Sequence, residues 1–129
     1  MDPLFAILVC DGDAGFREAL RNFLFAAGYS RVDVVASVGA ALAQLRREDY
    51  RCILFGLAGQ PSSVARRLAA VTQRRQPQAK LLFIVDAADA RDVDDASLVC
   101  VIRERAFSTL LDSLPQDAVE GLATAMTTG

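Results

Sequence analysis

The chain contains no histidine and no tryptophan. Without an imidazole it has no Ser-His-Asp or Cys-His nucleophile pair, no histidine metal ligand and no phosphohistidine donor of its own. Its three cysteines, Cys10, Cys52 and Cys100, match no metal-binding spacing, and an odd number argues against a disulfide framework. Each lies in an expected strand, Cys10 near a carboxyl end and Cys52 near an amino end, so they read as small buried hydrophobes in a reducing cytosol. No apolar run approaches the ~20 residues that a spanning helix requires. Met1-Asp2-Pro3 carries no basic region, so no signal peptide is expected and the chain reads as cytoplasmic. Fourteen basic residues stand against sixteen acidic ones, a balance that argues against a nucleic-acid surface as the main business of the chain. There is no glycine-rich phosphate loop and no repeat or low-complexity linker.

What is present suits one domain. At 129 residues and 53% apolar content, such a chain can bury roughly two thirds of its unfolded surface. Apolar runs alternate with amphipathic stretches. Strands are expected over Leu4 to Cys10, Val32 to Ala36, Arg51 to Leu57, Lys80 to Val85 and Leu98 to Arg103. Asp13 caps a first helix whose Phe16, Leu20, Phe23, Leu24 and Ala27 recur at helical spacing before Gly28 stops it. Ser37 caps a second helix bearing Val38, Ala41, Leu42 and Leu45. A third, Pro61 to Gln76, carries Val64, Leu68 and Val71 on one face and stops before Pro77. Short apolar strands joined by helices imply right-handed crossovers and a parallel sheet covered on both faces. The segment Asp86 to Ser97 is poorer: aspartates and alanines around Val93 predict a short or irregular fourth helix. A last helix begins after Phe107 with Ser108 as cap, and Pro115 breaks it, dividing residues 1–114 from an extension over 115–129.

The ends of two strands carry the functional signal. Ile7-Leu8-Val9-Cys10 runs into Asp11, whereas Ile53-Leu54-Phe55 runs into Gly56. In order and spacing, from about Leu4 to Leu114, the chain resembles the receiver domain of bacterial response regulators (CheY-like). The resemblance implies a doubly wound, flavodoxin-like α/β fold with a five-stranded parallel sheet in the order 2-1-3-4-5, its crevice lying between the carboxyl ends of strands one and three. In that family the first strand ends in an acidic pair that holds magnesium: Asp11 matches the first acid, and the second is Gly12. The phosphoacceptor aspartate is replaced by Gly56. Where the family has a hydroxyl residue ending strand four that hydrogen-bonds the phosphoryl group, this chain has Asp86. Where it has a lysine ending strand five, this chain has Arg105, followed by Ala106 in place of the usual proline and a matching Phe107. The aromatic that changes rotamer on activation falls at Ile102.

Phosphoryl transfer needs a nucleophile and cations placed on the transferring oxygens, and magnesium wants carboxylate oxygens in an octahedral set. One carboxylate of three remains in register, so phosphorylation and magnesium binding are expected to be lost, with no cofactor and no enzyme activity. Asp13 is expected to cap its helix rather than reach a metal. Asp11, Asp86 and Arg105 can form a charge cluster that locks one state, although a purely structural ion pair is the simpler reading. The space over Gly12 and Gly56 can admit a small ligand, or collapse; collapse is the simpler expectation. Arginines 46, 47, 51, 66, 67, 74 and 75, with Lys80, form a basic skirt read as solvated helix faces. Asp89, Asp92, Ile102 and Phe107 are candidate partner-binding residues. The expected function is a phosphorylation-independent signalling module, a pseudo-receiver. Its partner would be a protein (a histidine kinase, an output domain or a regulator), with a homodimer interface as an option and neither nucleic acid nor membrane. A small-ligand sensor is the alternative.

Overall fold

The computed structural model describes residues 5–57, 62–86 and 100–102. Their elements alternate along the chain: β1 (Ala6–Cys10), α1 (Ala14–Ala26), β2 (Arg31–Val35), α2 (Val38–Arg47), β3 (Cys52–Gly56), α3 (Ser62–Arg75), β4 (Lys80–Val85) and β5 (Cys100–Ile102). All strand pairs are parallel, β2 beside β1, β1 beside β3 and β3 beside β4, with the three residues of β5 against β4. The parallel sheet is covered on both faces, so β1, β3 and β4 are almost continuously buried apolar runs whose alternate residues enter two separate cores. Ile7, Val9, Leu54, Leu82 and Ile84 face Leu20 and Leu24 of α1. Ala6, Leu8, Cys10, Ile53, Phe55, Phe83 and Val85 face Ala41 and Leu45 of α2 and Ala65 and Leu68 of α3. Phe55 and Phe83, register partners on β3 and β4, stack with centroids 6.0 Å apart.

Local signals set the helix ends. The Asp13 carboxylate accepts from the backbone N–H groups of Gly15 and Phe16 at 3.0 and 3.2 Å, which satisfies two of the orphan donors of α1. At the other end Gly28 takes φ 102°; its N–H donates to the Phe25 carbonyl and the Tyr29 N–H to the Leu24 carbonyl, a Schellman closure that only glycine enters cheaply. The Ser37 hydroxyl accepts from Ala40 N at the start of α2.

Boundaries moved by a residue or two from expectation, for identifiable reasons. β2 runs Arg31–Val35 rather than Val32 to Ala36, because its register with β1 begins at Ala6↔Arg31. β3 is Cys52–Gly56 rather than Arg51 to Leu57. The third helix ends at Arg75, because Gln76 leaves it for other work. Gln76 is buried: its Oε1 accepts from Tyr50 N at 2.7 Å, and its Nε2 donates to the carbonyls of Leu45 and Glu48 at 3.1 and 2.8 Å. One amide thus ties the end of α3 to the α2–β3 turn. The expected fourth and last helices, the Pro115 break, and Leu4, Pro61, Leu98 and Arg103 lie outside the described residues. Among those described, no helix is long and apolar enough to cross a membrane.

Candidate functional site

Register fixes the geometry at the carboxyl ends of the strands. Cys10 pairs with Phe55, so Asp11 and Gly56, each one step further, stand abreast. Asp11 is only 2% exposed. Its N–H donates to the Val35 carbonyl, and its own carbonyl accepts from Arg17 Nη1 at 2.8 Å. Its Oδ1 accepts from Asp13 N at 2.8 Å, an Asx turn that leads β1 into α1. Asp13 does act as the helix cap, as expected.

This arrangement places the Asp11 carboxylate over Gly56. A Cβ built on Gly56 would overlap Asp11 Oδ2 and lie 2.7 Å from its Cγ. The glycine has no positive φ, so the requirement is space, not backbone conformation. Gly12 differs: the nearest atom to a Cβ there is the Ala36 carbonyl oxygen at 3.9 Å. Asp86 follows β4 directly and is half-buried. Ile102 closes β5, while Arg105, Phe107, Asp89 and Asp92 lie outside the described residues. The structure therefore brings Asp11, Gly12, Gly56 and Asp86 to the ends of β1, β3 and β4. Among the described residues, no group of three or more His, Cys, Asp or Glu side chains could hold a metal ion.

The space over the glycines is filled on one face of the sheet and open on the other. Asp11 occupies the α1 face. On the α2/α3 face a cavity of about 540 Å³ has Cys10, Gly12 and Gly56 at its floor and helix side chains as walls. Collapse is thus half the answer; the seam between α2 and α3 was not foreseen, since it depends on how two helices lie rather than on any motif. Desolvation raises the Cys10 thiol to about 11, with the Asp11 charge adding to the shift, and burial raises Cys52 to about 12. Both remain free, buried thiols held apart by the register, as expected.

A second polar arrangement went unread in the sequence. At the amino end of the sheet, Tyr50 donates its phenol to Asp33 Oδ2 at 2.6 Å. Burial first, then that bond, hold the phenol well above its usual range. The expected basic skirt is exposed throughout.

A scan against protein-family models and a search of curated proteins find no match for this chain. Among solved structures it is similar to a response regulator from Burkholderia pseudomallei with a phosphorylated aspartic acid, calcium ion and citrate: TM-score 0.67, 20% identity, 97% of this chain and 75% of that one. A two-component transcriptional regulator AraC from Clostridium phytofermentans gives TM-score 0.70 at 14% identity, covering 97% and 99% of the two chains. The RcsB response regulator of Salmonella typhimurium gives 0.64 at 16%, covering 92% and 66%. At these identities the similarity establishes a fold shared with response-regulator receiver domains.

Proposed function

We propose that this chain is a pseudo-receiver: a signalling module of a two-component or related system that works without phosphorylation, through protein contacts. The observation that carries the reading is Gly56 at the end of β3, with the Asp11 carboxylate standing where any side chain at 56 would begin. A receiver fold with glycine at that position lacks the family's acceptor carboxylate there. The finer architecture belongs to the same proposal: a complete 2-1-3-4-5 receiver sheet with an irregular fourth helix over residues 1–114, and an extension over 115–129. So do a cytoplasmic location, the lack of enzymatic turnover, and a histidine kinase, output domain or regulator as partner. Contacts through Asp89, Asp92, Ile102 and Phe107, a homodimer option, and a structural role for Arg105 beside Asp11 and Asp86 complete it.

The test is incubation with magnesium and acetyl phosphate, or with beryllofluoride. The intact mass should stay unchanged and the amide resonances of Asp11, Gly12 and Gly56 should not move. A stable mass increase, or magnesium-dependent shifts centred on those residues, refutes the reading.

The cavity on the α2/α3 face supports a second reading, a module that responds to a small ligand. Its volume of about 540 Å³ lies within the range of roughly 300–1,000 Å³ typical of ligand pockets.

A further inference from the structure

We infer that the cavity between α2 and α3 takes an amphipathic monocarboxylate, its apolar body between the helices and its charged head on Arg67. This deepens the ligand-responsive reading and rests on it. Five side chains form the apolar walls: Val38 and Leu42 from α2, Val64, Leu68 and Val71 from α3. Their spacings, four residues on α2 and four then three on α3, put each set on one helix face. Four of the five, all but Leu68, are only half-buried, so apolar surface at the seam remains uncovered, and an apolar ligand body would remove it from water.

Charge selects the class. Among the described residues lining the cavity, Arg67 is the one charged side chain. It makes no hydrogen bond or ion pair among the described residues. Gly12 and Gly56 in the floor carry no side chain, so neither presents a carboxylate to an incoming anion. Asp11 is not part of the lining; its side chain lies over Gly56 toward Asp13 N. A planar guanidinium at the edge of an apolar slot matches a carboxylate in two-pronged geometry. A lone cation suits a monoanion better than a phosphate ester, whose extra charge calls for more donors.

The test is a methyl-detected NMR titration of the full chain with octanoate and, separately, with octan-1-ol, its neutral counterpart of equal length. Octanoate should give saturable shifts at the methyls of Val38, Leu42, Val64, Leu68 and Val71. It should bind about tenfold more tightly than the alcohol, as one charge-assisted contact of modest strength implies. Arg67→Gln should erase that difference while leaving octan-1-ol binding unchanged. Val64→Phe, or Leu42→Phe from the opposite wall, should weaken both probes by filling the slot. If octan-1-ol binds as tightly as octanoate, or Arg67→Gln leaves the difference intact, the anion assignment is overturned and the ligand reading survives. Binding of both probes that neither filling variant weakens places them elsewhere and overturns the site. No saturable shift with either probe overturns the inference and the ligand reading together.

Discussion

Replacing Gly56 by alanine adds one methyl group at the most crowded glycine described. The new Cβ would overlap Asp11 Oδ2 and sit 2.7 Å from Cγ and 3.3 Å from Cβ. Either the strand ends move apart or the Asp11 carboxylate swings away. Forcing a methyl into packed space costs about 1–3 kcal/mol. Swinging Asp11 gives up the 2.8 Å bond from Asp13 N, a charged hydrogen bond of about 1.5–3 kcal/mol. Against this, losing the unfolded-state freedom of a glycine returns about 0.4–1 kcal/mol. The net expectation is destabilisation by about 2 kcal/mol, which for a chain of this size is a fall in Tm of roughly 6–10 °C. Guanidinium unfolding followed by circular dichroism measures it. Gly12→Ala is the control, because nothing lies within 3.9 Å of its new carbon, and it should stay within about 0.5 kcal/mol of the parent.

The sharper form is a double-mutant cycle with Asp11→Ala. That change removes the oxygens and Cγ, leaving a 3.3 Å carbon contact that small shifts relieve. In that background Gly56→Ala should cost little, giving a coupling of about 1.5–2 kcal/mol between the two positions. If Gly56→Ala is as stable as the parent, or costs the same in both backgrounds, then Asp11 does not fill the space over Gly56 and the account of the site is wrong.

Gln76→Ala removes three hydrogen bonds from a buried amide and leaves the Tyr50 N–H and two carbonyls short of a partner; a loss of about 3 kcal/mol in guanidinium unfolding is expected. Cys10 and Cys52, with thiols raised to about 11 and 12, should stay unmodified by iodoacetamide at pH 8 in the folded protein and react fully in guanidinium, as peptide mass spectrometry will show. Tyr50 has a folded pKa above the usual value of 10.0, so its contribution is fully present below pH ~10, the unfolded value, and is lost as pH rises toward the folded one. Tyr50→Phe should therefore cost about 1 kcal/mol at pH 8, with the gap to the parent narrowing above pH 10 in denaturant titrations.

Much of the architecture was readable because its causes are local. Short continuous apolar runs, Asp13 and Ser37 as caps and Gly28 as a left-handed stop each act within a few residues. The strand ends were readable too, since apolar runs stop where side chains reach the crevice. Three things were not. Gln76 looked like the last polar residue before Pro77, and nothing nearby says that its amide reaches Tyr50, far back in the chain. Asp33 and Tyr50 meet only because the folded sheet brings β2 near the start of β3. Arg67 was one of a row of arginines, and only the position of α3 against α2 distinguishes it from Arg66 or Arg74.

The same logic explains why a glycine, rather than any small residue, stands at the end of β3. Ile7 and Val9 face α1, as does Leu54, so Asp11 and position 56 continue the same parity on adjacent strands. Parallel neighbours lie only ~4.8 Å apart, and two side chains starting side by side at the sheet's mouth compete for one volume. Asp11, drawn back by Asp13 N, takes that volume. Position 56 must then begin with nothing, and serine or alanine would meet the carboxylate as surely as aspartate would. An acid restored at 56 has therefore to displace one already in place, so the position is filled rather than vacant. The opposite face of the same strand ends has no such occupant, and there lies the cavity in which Arg67 is the one charged lining residue among those described.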